Sequence, residues 1–349
     1  MPAGRSRRTS PVTSEFGLIR RLTAQAAPLD HEVVKGIGDD TAILKTSAST
    51  WTLITTDLLA EGIHFDPLLS SFEDIGYRAA IANLSDIAAM GGAPRFMLVA
   101  IAVPRICSMG QIQRLYRGMM QAARPYRVSL VGGDTSASRG GLFLNITLTG
   151  VVKPRQALLR GGARVGDLIY VTGTVGDSNV GLALLKGRRS GRSGMQPAQV
   201  RWLVARHHRP SARVAEGQWL VKHHLATAAI DVSDGLSGDL RHLCEESGVG
   251  ADIIPTSLPL SQACRAYAAA HRLDAQYIAL QGGEDYELLF TVPSDQQSRF
   301  ERLAASTSFR FTCIGLITHK RSGLRLRTAA GVTTPLRITS YEHFHSPLR

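Results

Sequence analysis

The stretch Gly36-Ile37-Gly38-Asp39-Asp40 most constrains how this chain can fold and what it can hold. Its glycines allow a tight turn and close approach of the backbone to a ligand. The adjacent carboxylates repel one another unless something cationic sits between them. Alone, the stretch is compatible with a solvated turn. The theme recurs, however, in Thr55-Thr56-Asp57, Asn83-Leu84-Ser85-Asp86, Gly132-Gly133-Asp134-Thr135, Asp231-Val232-Ser233-Asp234-Gly235 and Gly282-Gly283-Glu284-Asp285. Turns alone do not account for such repetition.

Composition bounds the setting of these carboxylates. The 349 residues are 44% hydrophobic and 19% charged, enough to bury the cores of two ordinary α/β domains or of one large one. Cys107, Cys244, Cys264 and Cys313 are widely spaced, which argues against a disulfide framework or zinc site and fits a reducing cytosol. No apolar run approaches the ~20 residues needed to span a bilayer, and the charged start lacks the apolar segment of a signal peptide. A cytoplasmic protein without membrane contact is expected. The formal charge of +12 raises the question of polyanions. Much of the excess sits in peripheral segments: Arg5, Arg7 and Arg8, then Lys186 to Arg192, then Lys320 to Arg327. No nucleic-acid module accompanies them, so no specific nucleic-acid partner is expected.

Taken in order, residues 1–13 form a polar, basic tail with the composition of disorder. A helical pattern starts at Ser14. Residues 51–57 alternate as a strand ending on Asp57. Ser71 to Met90 reads as a helix with Ser71 and Asp74 at its start and Gly91-Gly92 at its end, and it carries Asn83 and Asp86 on one face. A strand over 96–103, a helix over 111–124, a strand over 128–131 running into Gly132-Gly133-Asp134, and a strand over 142–152 complete a first unit, 14–153. A new series follows over 154–349. It has strands at 168–172, 228–232, 251–254, 287–292 and 311–317, helices through Leu185 and Glu246, and a flexible basic insert from Gly187 to Gly194.

Carboxylates at strand ends, on a helix face and in glycine-rich loops are oxygen ligands of the kind magnesium prefers, and magnesium also binds substrate phosphates. Without divalent ions, each close pair of such charges costs about 4 kcal/mol at an intermediate dielectric. The common nucleotide machineries are missing. There is no Gly-Lys pair and hence no P-loop, no protein-kinase His-Arg-Asp or Asp-Phe-Gly set, no Gly-x-Gly-x-x-Gly spacing in 173–181, and no Gly-x-Ser-x-Gly elbow.

The series GIGDD, TTDLLAEGIHF, NLSDIAAMGG, VGGDT, GDLIYVTGTVGDS, DVSDGL and GGEDYELLF resembles the bacterial thiamine-monophosphate kinases, in order and spacing, from about Ser14 to Tyr341-Glu342-His343-Phe344. The resemblance implies the two-domain α/β (α+β type) fold of the aminoimidazole ribonucleotide synthetase superfamily, with an N-terminal sheet that forms a barrel in a homodimer and a C-terminal α/β domain. It implies ATP-dependent phosphorylation of thiamine monophosphate to thiamine diphosphate, the final step in making that cofactor, with several Mg2+ ions. Carried over residue by residue, Asp40, Thr55, Thr56, Asp57, Asp86, Asp134, Asp231 and Asp234 match metal positions. Gly133, Asp134, Arg160 and Ser233 match ATP contacts, and His64, Glu284 and Tyr341 match substrate contacts. The physical chemistry agrees: a guanidinium suits a polyphosphate, Glu284 can face a thiazolium, and an aromatic ring can stack on planar rings. No general base is expected, because transfer is assisted by metal and arginine.

The family usually closes on Gly-Tyr-Asp-His-Phe, where this chain has Ser340-Tyr341-Glu342-His343-Phe344. The nearest rival is an ATP-dependent ligase or maturation enzyme of the same fold that activates an amide oxygen. The GGEDYELL stretch and the closing Tyr/His/Phe cluster favour the kinase. Asp39, Asp167 and Asp285 read as turn or cap residues, the pairs His207-His208 and His223-His224 as surface helix, and Met90, Met97, Met119 and Met120 as core.

Overall fold

The computed structural model describes residues 15–24, 30–187, 194–339, 341 and 343. The basic tail, the middle of the basic insert, and Glu342 and Phe344 of the closing motif lie outside the described residues. After a short helix α1 (Glu15–Thr23), the first sheet is built from β1 (Val33–Lys35), β2 (Ala42–Lys45), β3 (Trp51–Ala60), β4 (Ala93–Pro104), β5 (Ser129–Ser138) and β6 (Phe143–Val152). Their order is β1-β2-β3-β6-β4-β5. All neighbours are antiparallel except β4 and β5.

Helix α2 (Phe72–Ala89) covers the inner face of this sheet, and α3 (Met109–Ala123) packs on α2. Ser71 caps α2 by accepting from the Asp74 N–H, and its own hydroxyl donates to the Asp74 carboxylate at 2.7 Å. Residues that alternate along β4 and β6, among them Met97, Val99, Ile101, Leu144, Ile146 and Leu148, are buried beneath the helices. On the opposite face Leu58, Phe96, Leu98 and Phe143 are exposed.

The second sheet comprises β7 (Leu168–Thr172), β8 (Ala228–Val232), β9 (Val249–Ile253), β10 (Glu287–Val292), β11 (Phe311–His319), β12 (Leu324–Arg327) and β13 (Thr333–Pro335), in the order β13-β12-β9-β11-β7-β10-β8. Only β12 and β9 are parallel. Around it lie α4 (Asp177–Gly187), α5 (Pro197–His208), α6 (Val214–His223), α7 (Leu236–Ser247), α8 (Gln262–His271), α9 (Ala275–Gln281) and α10 (Gln297–Ala304). Helix α2 also packs on α6 and β8, so one apolar core runs from Ile43 and Leu53 under the first sheet to Leu288 and Phe290 in the second.

Three expectations need correction. Strand β3 does not stop at Asp57 but runs on to Ala60, which places Asp57 inside a sheet rather than at its end. Strand β5 passes through Gly132-Gly133-Asp134 to Ser138, because pairing with β4 continues along its length. His207 is not on the surface; it is 2% exposed, since α5 packs against α4 and α2.

Candidate active site

The Gly36–Asp40 stretch forms the bend between β1 and β2, with Gly38 at φ +108°, a conformation that favours glycine. The bend turns Asp39 and Asp40 inward. Asp39 lies in the bend, and its buried carboxylate accepts from the Arg160 backbone N–H at 3.2 Å and lies 3.6 Å from Lys35 Nζ. Asp40 instead joins two carboxylates from distant elements: Asp86 in the last turns of α2 and Asp231 in β8. One oxygen from each lies within 4.8 Å of the others.

These carboxylates are held by neutral donors and one cation. The Thr55 hydroxyl donates to Asp86 Oδ2, and the Ser85 hydroxyl donates to Asp231 Oδ2 at 2.7 Å. Arg160 donates through Nε to Asp40 Oδ1 at 3.1 Å. Burial opposes the guanidinium's charge, but Asp40 more than offsets it and holds Arg160 above its ordinary range. One guanidinium does not balance the cluster. Burial, then Asp57, Asp231 and Asp40, holds Asp86 well above the usual carboxylate range. Burial and then Asp40 push Asp231 up to about 8, and burial pushes Asp57 up to about 6. Asp234, just past β8, is raised to about 6 by burial and then by Glu15.

The sheet's two-residue period sorts the Thr55-Thr56-Asp57 run. Thr55 and Asp57 face α2 and the carboxylates. Thr56 faces the opposite side, where its hydroxyl lies 3.1 Å from Thr147 Oγ1, so its side chain does not join the cluster. Asp134 is also apart. Its strand is separated from β3 by β4 and β6, three strand spacings or ~14 Å. Gly133 beside it has φ +155°, and a Cβ there would sit 1.8 Å from the Val99 carbonyl oxygen, so close strand packing also requires this glycine.

A second group of residues forms around His64, Glu284 and Tyr341, the positions expected to contact the substrate. His64 Nδ1 accepts from the Ala60 N–H at 3.0 Å, which leaves the proton on Nε2. Burial, then His343 and Arg78, lowers its pKa to about 4, so the ring is neutral at pH 7. The rings of His64 and His343 have centroids 5.1 Å apart. The Tyr341 hydroxyl lies 3.0 Å from His343 Nδ1, and the Tyr341 N–H donates to the Asp234 carbonyl at 3.2 Å. That last bond ties the closing segment to the Ser233-Asp234 turn. The Glu284 N–H donates to the Ser233 carbonyl at 2.7 Å, which brings Glu284 to the same turn. Glu284 Oε1 lies 3.6 Å from Arg78 Nε and Oε2 lies 3.7 Å from His207 Nδ1. Sequence reasoning did not single out Arg78 and read His207 as surface helix. For Arg78 the available signal was its place as the one basic residue of α2, eight residues before Asp86.

Residues 38–152 match the family model described as AIR synthase related protein, N-terminal domain, and residues 164–326 match its C-terminal domain. A thiamine-monophosphate kinase from Haemophilus influenzae is 38% identical over 306 residues, covering 88% of this chain and 90% of the relative. The chain belongs to the thiamine-monophosphate kinase family. A solved structure described as AaThiL complexed with AMPPCP and TMP overlays with a TM-score of 0.83 at 32% identity, covering 97% of this chain and 100% of that one. Hydrogenase maturation protein HypE in complex with ATP overlays at 0.67 with 21% identity, covering 84% of this chain and 87% of HypE, which shows a shared fold alone. Thiamine-monophosphate kinase relatives therefore outweigh the rival maturation-enzyme reading, which keeps only the architecture.

Proposed function

We propose that this chain transfers the γ-phosphoryl group of ATP to thiamine monophosphate, giving ADP and thiamine diphosphate. The observation that carries this is the convergence, on one turn after β8, of two unlike groups of residues in a chain of this family: buried carboxylates suited to a metal-bound triphosphate, and a Glu284, His64 and Tyr341 set suited to thiamine. Incubating the purified protein with ATP, magnesium and thiamine monophosphate and weighing the products by mass spectrometry tests it. Equal amounts of ADP and thiamine diphosphate are expected; ADP with free phosphate and unchanged thiamine monophosphate would refute it.

The carboxylate group fits magnesium. All its donors are oxygen, burial makes its bare charge unfavourable, and Asp40 Oδ2 is buried without a hydrogen-bond partner among the described residues. Asp40, Asp57, Asp86, Asp231 and the Thr55 hydroxyl would hold ions, with Asp234 holding a further one and Thr56 able to contribute only its backbone. Bound magnesium supplies charge neutralisation between the two phosphate groups that must meet.

The chain's own residues do the rest. Arg160, paired with Asp40, and Ser233, in the turn after β8, would serve the triphosphate end. Glu284 holds the positive thiazolium, and Tyr341 packs on a ring. The acceptor phosphate has a second pKa of about 6 and is already ionised at pH 7, so no base is needed to activate it. An acceptor oxygen bonds to the γ-phosphorus as the bond from that phosphorus to the bridging oxygen breaks, and ADP leaves with the electron pair. His64 suits orientation rather than proton abstraction, since its Nδ1 is engaged and its basicity is low.

The exposed sheet face of Leu58, Phe96, Leu98 and Phe143 and the exposed edge strand β5, with Leu130 and Val131, support a homodimer through the first sheet. Pairing through this face would close a barrel of strands and carry Gly133 and Asp134 toward the partner's triphosphate end. Light scattering should then give twice the 37.6 kDa chain mass. We also read 14–153 and 154–349 as the two domains, with 1–13 as a tail. Among the described residues no helix is long and apolar enough to cross a membrane; the cytoplasm is the compartment we propose.

A further inference from the structure

Arg78 has no part in the reaction as described above, yet it occupies the middle of the acceptor end. It is 3% exposed, and its charge is placed where burial is costly unless it is paired and hydrogen-bonded. Its fork is used on three sides. Nη2 donates to the His64 carbonyl oxygen at 2.5 Å, which fixes the loop that presents the His64 ring. Nη1 lies 2.6 Å from His207 Nε2 and 3.4 Å from its Nδ1, so the shorter contact marks Nε2 as the acceptor. Nε makes no hydrogen bond among the described residues and lies 3.6 Å from Glu284 Oε1.

The contact with His207 determines its tautomer. A guanidinium can only donate, so His207 Nε2 must carry the lone pair and Nδ1 the proton. Nδ1 lies 3.1 Å from the Ser178 hydroxyl and 3.7 Å from Glu284 Oε2. Burial, then Arg78, lowers His207 to about 2, which keeps this ring neutral. Glu284 thus has donors facing both of its oxygens. Its backbone sits at φ +62°, a region few side-chain-bearing residues occupy. A glutamate kept in such a conformation, with both oxygens watched by buried donors, points to a functional constraint on its side chain.

We propose that Arg78 and His207 form a buried positioning pair that sets acceptor specificity, by holding Glu284 and the His64 loop at one fixed separation. This rests on the reading of Glu284 and His64 as acceptor contacts. Arg78 balances the carboxylate without covering it: Glu284 keeps 32% of its side chain exposed, the part free to meet a cationic ring. Arg78 supplies geometry through its planar fork, so a lysine of equal charge does not replace it.

Steady-state kinetics with each substrate varied in turn test the proposal, on the full chain with melting temperatures recorded in parallel. Arg78→Met should raise KM for thiamine monophosphate at least tenfold, and Arg78→Lys should recover little of that loss, while KM for ATP stays within twofold in both. His207→Gln, which keeps an acceptor for Arg78 and a donor for Ser178, should remain near the parent, whereas His207→Leu should match Arg78→Met. Equal rises in both KM values, or full recovery by Arg78→Lys, would overturn it. Should Arg78→Met give no folded protein, the His207 pair decides on the same ratio: a gap in acceptor KM between Gln and Leu supports the proposal, and no gap defeats it. A parent protein that makes no thiamine diphosphate would instead defeat the functional reading beneath it.

Discussion

The two ends of the site solve opposite electrostatic problems. At the proposed triphosphate end, Asp40, Asp86 and Asp231 are brought from the β1–β2 bend, α2 and β8 to within 4.8 Å, where burial and mutual repulsion oppose their ionisation. At the proposed acceptor end, His64 and His207 are neutral, Glu284 is faced by Arg78, and Tyr341 is held by backbone and hydroxyl bonds. The first end stores an electrostatic cost that a cation would relieve; the second is already balanced and offers shape and one exposed carboxylate. On the proposed reading, cation demand at one end and cation recognition at the other would keep ATP and the acceptor from competing for the same residues.

The comparison breaks first at Asp86. Asp86→Asn should lower turnover about a thousandfold, while the melting temperature holds or rises because a repelling buried charge is gone. Retained turnover would take Asp86 out of the site; a large fall in melting temperature would mean the cluster is structural. At the other end, Glu284→Gln should raise KM for thiamine monophosphate about tenfold and leave KM for ATP within about twofold. An equal effect on both would erase the division between the ends.

A smaller effect separates them by pH. Asp57 and Asp231 are raised to about 6 and about 8 by burial, and in Asp231 next by Asp40. Groups raised in the folded state favour folding while protonated, fully so below the ordinary carboxylate range near 4, and that contribution is lost as pH climbs through 6 to 8. In chelator the melting temperature should therefore drop by roughly 3–6 °C between about pH 6 and pH 8.5. Magnesium should remove most of the drop, with little effect at the low end. The same drop with and without magnesium would place its cause outside the cluster.

The carboxylate end was largely legible in the sequence, because glycines beside acids and acids at strand ends leave local traces. Asp40, Asp57, Asp86 and Asp231 were each marked by such a motif. Thr56 was named with its neighbours although strand alternation already turns it away from Thr55 and Asp57. Asp134 carries the same local mark, but only the strand order reveals the β4 and β6 strands between it and the cluster. The acceptor end was less legible. Arg78 and His207 are 129 positions apart and touch only because α5 docks beside α2, a tertiary fact with no local signature. The fold followed the same rule: long periodic elements such as α2 and β6 could be read directly. The short β1, β2, β12 and β13, stabilised by neighbours rather than by their own pattern, could not.

The central claim is that phosphorus passes directly from one end of the site to the other, with no residue of the chain carrying it between. The stereochemistry at the γ-phosphorus tests this most directly, using ATP made chiral there with oxygen isotopes and sulfur and analysing the thiamine diphosphate formed. A single in-line displacement predicts inversion of configuration. Retention would require two displacements, hence a phosphorylated residue on the protein, and would contradict the account.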